Sequence, residues 1–471
     1  VRFRRATLGL VIGPLLFALL LVMPLPDGMS PEARRLGACA VWMAVWWISE
    51  AVPIPVTALL PIVLFPVLGV MSASAVTGPY AHHLIYLFMG GFLIAVAMER
   101  WNLHRRIALQ VVRRTGSSPA RLVLGFMTAT AFLSMWISNT AATMMMVTIG
   151  MAVLKQLLPD GGRESSPFGT ALMLGIAYAA SIGGTATLIG TPPNAILAGV
   201  LAQNYDVELG FAEWMRFALP LATVMLLVTW LYLTRIAFPV GDAIVSDAAA
   251  HIERQIEALG PMSKPERRVA VVFASVALLW MGRGLSDWSL LDRINDSTIA
   301  IAGALSLFVI PADWKQRVFL LDWATAVRIP WDIIILFGGG FALAAGFAET
   351  GLSVWLAEQL RGLQGVPPVF VVVSVALLVL FLTEVTSNTA TASVMLPVLG
   401  ALADALQLQP ALLMVTATLC ASFAFMLPVA TPPNAIVFSS RCVSVPQMAR
   451  AGLWLNLTAV LLVTAFVYFW Y

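Results

Sequence analysis

The sequence predicts an all-α polytopic membrane protein made of two inverted repeats, each with a re-entrant helical hairpin and a broken helix. Three observations carry that prediction. Of 471 residues, 60% are hydrophobic and 11% charged, against roughly 25% charged in soluble domains. Apolar runs of about 17–25 residues, each long enough to cross a bilayer, recur along the chain. The polar cluster Ser138-Asn139-Thr140 returns as Ser387-Asn388-Thr389, and the knot Gly190-Thr191-Pro192-Pro193-Asn194 returns as Ala430-Thr431-Pro432-Pro433-Asn434. Gly90-Gly91-Phe92 and Gly339-Gly340-Phe341 stand 249 residues apart, the offset that also separates Asn139 from Asn388. The proline knots are 240 apart, so an intervening loop has changed length.

Taken in order, an apolar run at about 7–25 follows Val1-Arg2-Phe3-Arg4-Arg5. No small-x-small cleavage site follows it, so it reads as a retained first helix. Further helices are expected at about 36–51, 56–72 and 84–99, with Pro53 and Pro55 breaking the chain between the first two. Residues 101–116 carry four arginines, with Leu103, Ile107 and Val111 at helical spacing. That pattern suits an amphipathic helix on the membrane surface. The stretch 119–157 is interrupted by Ser138-Asn139-Thr140, and each arm is slightly short for a crossing. Arg113, Arg114 and Arg121 lie at its near end, Lys155 and Arg163 at its far end. Positive charge at both ends makes it a hairpin that enters and leaves on one side. A helix from 169 to 203 breaks at Gly190–Asn194, and another covers 215–238. The polar stretch 241–268 reads as a linker with a helix presenting Ile252, Ile256 and Leu259 on one face. The second half repeats the scheme: helices at 269–284, 297–311 and 331–348, a surface helix at 352–363, a hairpin at 368–405, a broken helix at 411–440 and a last crossing at 450–470.

With the N-terminus inside, only Arg34, Arg35, Arg216, Arg283, Arg293 and Arg361 fall outside, leaving 21 of the 27 Lys and Arg on the inner side. The positive-inside rule favours that orientation and puts the C-terminus outside. Five crossings separate the hairpins, an odd number, so the second enters from the opposite face. Chains of this build place substrate and ion sites at the repeat interface, on discontinuous helices.

Ser, Asn and Thr are good N-caps. In Thr-Pro-Pro-Asn the threonine caps and proline fits the first turn. All four points therefore predict helix starts aimed inward, each carrying roughly +0.5 charge, about +2 in sum. No Lys or Arg stands in these four runs. Helix dipoles suit a doubly negative guest, and Ser and Asn oxygens with carbonyls freed at the breaks suit a small hard cation such as Na+. Glu384, an intramembrane carboxylate, reads as a proton relay, as a structural hydrogen-bond acceptor or as an indirect influence on the cation site. Glu50 and Glu99 stand at helix ends, where a structural role is expected. Cys39, Cys420 and Cys442 lack metal spacing and read as buried hydrophobes. The four histidines form no metal pattern. No membrane-embedded His or Asp partners a serine, which argues against a hydrolase. A net charge of +3 gives no sign of nucleic-acid binding; the expected surroundings are lipid.

The chain resembles the divalent anion/sodium symporter family. The resemblance runs nearly end to end, through Glu50-Ala51-Val52-Pro53-Ile54-Pro55-Val56-Thr57, Ser181-Ile182-Gly183-Gly184-Thr185-Ala186-Thr187, both Ser-Asn-Thr clusters and both Thr-Pro-Pro-Asn knots. It implies a homodimer of elevator type in a bacterial inner membrane. Scaffold helices would cover 1–83 and 269–330, transport regions 84–240 and 331–471, and a cytoplasmic linker 241–268. It implies one Na+ site using Ser134, Ser138, Asn139 and Gly190, and another using Thr383, Thr386, Asn388 and Ala430. Substrate carboxylates would meet Ser138, Asn139, Thr140, Ser387, Asn388 and Thr389, with Thr191, Thr431 and Pro432 lining the pocket. Thr386 is often Ala in such relatives, where the carbonyl is the ligand, and Thr191 is often Ser. Two Asn-Thr pairs facing two carboxylates point to Na+-coupled uptake of a C4 dicarboxylate (succinate, malate or fumarate) over sulfate. Citrate, tartrate, sodium-independent exchange and a passive anion channel remain as alternatives.

Overall fold

The computed structural model describes residues 2–116, 118–157, 166–241, 246–283 and 294–470. Arg163 and Arg293, used above for orientation, lie outside them. Among the described residues six helices are long and apolar enough to cross a membrane: Arg5–Val22, Ala73–Arg100, Pro167–Thr185, Phe211–Ala237, Trp331–Glu349 and Val445–Trp470. The chain is an all-α polytopic membrane protein, and its shorter helices include hairpin arms and broken segments.

The first hairpin runs Pro119–Ser134 then Asn139–Leu157, the second Pro368–Thr383 then Asn388–Ala405. Both outgoing arms have 16 residues, about 24 Å at 1.5 Å per residue, short of the roughly 30 Å hydrocarbon core. The first broken helix is Pro167–Thr185 followed by Pro192–Tyr205, the second Pro410–Ser422 followed by Pro432–Ser439. Unwinding in the first begins at Ala186, earlier than the Gly190 expected from the proline knot. Just before the break, a Cβ on Gly183 would stand 2.4 Å from Ala131 Cα and 2.6 Å from its carbonyl carbon, so hairpin and helix touch backbone to backbone there.

Other expectations shift for local reasons. The helix expected at 56–72 is two short ones, Ile54–Thr57 and Leu60–Val67, because Pro55 and Pro61 each start a new helix. The helix expected to reach 311 ends at Val309, and a small β-hairpin then pairs Pro311–Asp313 with Val318–Phe319. The linker helix is Ser246–Leu259, but the next helix begins at Lys264, inside the stretch assigned to the linker. There Glu266 is buried against Arg106. Leu103, Ala108, Leu109 and Val112 of the amphipathic helix Leu103–Thr115 are buried. That helix packs on the first hairpin and the linker helix, so part of its apolar face rests on protein rather than lipid.

The two halves interlock. Helix His83–Arg100 packs along Asp296–Val309 of the other half, and Trp331–Glu349 packs against Ile54–Thr57 and Gly78–Ala81. The repeat glycines sit at these crossings. A Cβ on Gly90 would meet the Ala300 backbone at 2.6 Å, and one on Gly339 would meet the Ala58 carbonyl at 2.5 Å. Only glycine permits backbones this close.

Candidate functional site

All four predicted helix starts are present: helices begin at Asn139, Pro192, Asn388 and Pro432. They are cross-packed. The arm after Asn139 lies against Pro432–Ser439, and the arm after Asn388 lies against Pro192–Tyr205. Ser138 caps its arm by accepting from Ala141 N at 3.2 Å. Ser387 caps through its carbonyl, which accepts from Thr391 N at 2.8 Å. Thr431 caps with its hydroxyl, 3.2 Å from Asn434 N, whereas Thr191 has the same extended backbone without a side-chain cap. Asn139, Thr140, Asn388 and Thr389 are half-buried, Thr191 and Thr431 buried, and Pro432 exposed.

Oxygens gather at the first hairpin tip. The Ser134 hydroxyl hydrogen-bonds the Asn139 side-chain oxygen. That oxygen also faces the carbonyls of Ala180 and Gly190, each at 3.3 Å. Turned over, the amide would donate to all three. That orientation satisfies the amide and ties the hairpin tip to the first broken helix. Gly184 makes room: a Cβ there would stand 2.7 Å from Asn139 Oδ1 and 3.0 Å from the Gly190 carbonyl.

The second tip repeats this chemistry. Thr383, the repeat counterpart of Ser134, places its hydroxyl 2.7 Å from Asn388 Oδ1 and 2.9 Å from the Ala421 carbonyl. Thr386 turns its hydroxyl to the Leu382 carbonyl at 2.8 Å and to Thr391 Oγ1 at 2.6 Å, so toward a cation it has its carbonyl to offer. Ala430, counterpart of Gly190, is buried in the unwound stretch.

Three sets of contacts at the site were not legible in the sequence, the third made by a residue, Glu384, that had itself stood out. Asn194 holds the first break, donating to the Thr187 carbonyl at 2.8 Å and the Thr185 carbonyl at 3.3 Å. Asn434 holds the second, donating to Ala424 at 2.9 Å and Leu427 at 3.0 Å. The repeated Asn at the end of both knots was the available signal. Glu384 is the third. Its carboxylate accepts from Phe425 N at 2.8 Å, Met426 N at 3.0 Å, Leu427 N at 3.2 Å and Asn456 Nδ2 at 2.7 Å. It accepts from four donors and so anchors the unwound stretch, the structural one of the roles named above. Asn456 is fully buried in the final helix Val445–Trp470, where a buried amide marks a functional or structural contact. The first half uses a neutral substitute: Met135, counterpart of Glu384, accepts from Thr187 Oγ1 through its carbonyl at 2.6 Å.

A cavity of about 670 Å3 lies elsewhere, beside the Arg283–Asp296 pair. Among the described residues no cluster of three or more His, Cys, Asp or Glu could hold a metal.

Comparison with known proteins agrees with this architecture. The Alcanivorax borkumensis YdaH transporter superposes with a TM-score of 0.57 at 16% identity, covering 100% of this chain and 97% of that one. MtrF of Neisseria gonorrhoeae, from a class of antimetabolite efflux pumps, gives 0.62 at 13% identity, covering 98% and 94%. At such identities the likeness concerns the fold. In sequence, the sodium-dependent dicarboxylate transporter SdcS of Staphylococcus saprophyticus is 44% identical over 469 residues, 98% of this chain and 90% of that protein. SdcS of Staphylococcus aureus strain bovine RF122 is 44% identical over 470 residues with the same coverage. The family model described as "Sodium:sulfate symporter transmembrane region" matches residues 5–471, and the chain belongs to that family.

Proposed function

We propose that this protein is a secondary active transporter that uses Na+ influx to take up C4 dicarboxylates such as succinate, malate and fumarate. The observation that carries the reading is the paired tip chemistry. Ser134 and Asn139 in one half and Thr383 and Asn388 in the other set hydroxyl, amide and carbonyl oxygens beside four helix starts. The oxygens suit Na+, and the helix starts, with no Lys or Arg among them, suit a doubly negative guest. Asn139-Thr140 and Asn388-Thr389 supply one donor pair for each carboxylate, which favours a dicarboxylate over sulfate. The 44%-identical relatives are named sodium-dependent dicarboxylate transporters, which supports both the ion and the substrate class.

In this reading Ser134, Ser138, Asn139 and Gly190 form one Na+ site and Thr383, Thr386, Asn388 and Ala430 the other. Ser138, Ser387, Thr191, Thr431 and Pro432 line the substrate pocket between them. The scaffold covers 1–83 and 269–330, the moving part comes from 84–240 and 331–471, and 241–268 is the cytoplasmic linker. The protein works as an elevator in a homodimer within a bacterial inner membrane, N-terminus inside and C-terminus outside. The test is uptake of labelled succinate into proteoliposomes with and without an inward Na+ gradient, competed by unlabelled malate, fumarate, citrate, tartrate and sulfate. Accumulation that needs the gradient and yields to C4 acids is the expected result. Exchange that ignores the gradient overturns the coupling, and sulfate as the best competitor overturns the substrate.

A further inference from the structure

Tyr178 belongs to the first half, on helix Pro167–Thr185, yet its hydrogen bonds run to the second. The side chain is fully buried. Its hydroxyl donates to the Phe425 carbonyl at 2.8 Å, with the Met448 carbonyl at 3.5 Å. Its ring lies against the Phe425 ring, centroids 4.9 Å apart. Phe425 also donates its N–H to Glu384 at 2.8 Å. The residue is therefore held at its carbonyl by one half of the chain and at its amide by the other. The last helix closes the node. Met448, Gly452 and Asn456 recur every four residues and share one face of it. A Cβ on Gly452 would press on the Phe425 carbonyl and stand 2.6 Å from Met426 Cα. The first half has no such node: Thr418, the counterpart of Tyr178 at the 240-residue offset, turns its hydroxyl back to Met414 of its own helix at 2.8 Å.

The helix that carries Tyr178 also touches the first hairpin tip. Two residues on, the Ala180 carbonyl lies 3.3 Å from the Asn139 side-chain amide. At the other end of the link, Phe425 stands five residues before Ala430, the proposed ligand of the second Na+ site. Resting on the two-site reading above, we infer that Tyr178 is a positioning residue for the second Na+ site, through which occupancy of the first site sets the geometry of the second. Na+ held by Asn139 constrains the helix that the Asn139 amide touches. The Tyr178 hydroxyl passes that constraint to the Phe425 carbonyl. With Glu384 on the amide as well, the unwound stretch that leads to Ala430 starts from a fixed point. Such coupling is reciprocal, so loss of the hydroxyl weakens Na+ binding at both sites and makes it less cooperative.

A purely structural bond predicts a different outcome, and the same helix supplies the comparator. Thr170 donates to the Cys442 carbonyl at 2.8 Å, also buried and also between the halves. Cys442 lies beyond helix Pro432–Ser439, away from the unwound stretch. The experiment compares Tyr178→Phe with Thr170→Val in proteoliposomes. It reads the Na+ activation curve of succinate uptake, the maximal rate at saturating Na+ and the melting temperature. Tyr178→Phe keeps the ring and deletes the hydroxyl. It is expected to raise the half-saturating Na+ concentration at least about fivefold and to lower the Hill coefficient toward one, with the rate recovering at saturating Na+. Thr170→Val is expected to lower the melting temperature by a similar amount and to keep the Na+ curve. An unchanged curve in Tyr178→Phe, or equal displacement by both variants, overturns the proposal. If Tyr178→Phe fails to insert, Gly452→Ala takes its place, because its methyl displaces the Phe425 carbonyl from the opposite side. A displaced, less cooperative Na+ curve then supports the proposal and an unaltered one overturns it. Uptake by the unmodified protein that ignores Na+ would instead refute the two-site reading, so the two failures are distinguishable.

Discussion

Replacing Glu384 by Gln removes the anion that holds the second unwound stretch. Four N–H donors end on this carboxylate, three from consecutive backbone amides. Gln keeps one acceptor oxygen and puts an NH2 where the other stood, so at least one donor faces a donor. A hydrogen bond to a charged group contributes about 1.5–3 kcal/mol, against about 1 for a neutral pair. One bond lost and three weakened come to roughly 3–5 kcal/mol, similar to breaking a buried ion pair. Ala430, the proposed cation ligand, lies three residues beyond Leu427. Displacing this stretch therefore reaches the second Na+ site directly. If half of that energy is expressed there, apparent Na+ affinity falls at least about tenfold, at 1.4 kcal/mol per decade. The assay is the Na+ activation curve of succinate uptake in proteoliposomes, with membrane insertion and thermal stability measured in parallel. Wild-type Na+ dependence in a well-folded Gln variant would refute the anchoring role.

Asn139→Ala and Asn388→Ala should each abolish uptake while leaving membrane insertion intact; normal uptake by either removes that residue from the site. Gly184→Ala forces a methyl against Asn139 and the Gly190 carbonyl and should lower uptake more than tenfold at saturating Na+, checked in the same vesicles. Arg106→Ala strands buried Glu266, and also removes the bond from Arg106 to the Gly260 carbonyl at 3.0 Å. The expected cost is about 3–5 kcal/mol, read as a fall in melting temperature, with Glu266→Gln milder. Asp322 is held below the usual carboxylate range first by bonds from the Thr325 hydroxyl and amide, then by Arg100. Its folded pKa is depressed, so its contribution is present above the unfolded value of about 3.9 and is lost as pH falls through the folded one. Asp322→Asn should therefore flatten the acid side of the stability profile.

The hairpins and breaks were legible because polar clusters in apolar sequence have few alternatives and because each occurs twice. Ser134 and Asn139, or Thr383 and Asn388, lie five residues apart, close enough for local reasoning to pair them. What was hidden depends on distance. Glu384 stood out as a carboxylate, yet three of its partners are backbone amides some 41–43 residues away, and amides carry no sequence signature. Glu266 looked like part of a solvated linker because its partner Arg106 is 160 residues distant. The close approach of Gly183 to Ala131 is a fact of shape that composition does not encode. The prolines at 55 and 61 were visible, but that each would begin a helix rather than merely end one depended on the turn between them.

The crossings at Gly90 with Ala300 and at Gly339 with Ala58 bear on biosynthesis. When Gly90 leaves the ribosome its partner lies about 210 residues downstream, a wait of roughly 10–40 s at 5–20 residues per second. During that interval the N-terminal half sits in the bilayer with a bare glycine groove. Separately expressed fragments cut in the segment 246–259 should therefore recover activity only when made together.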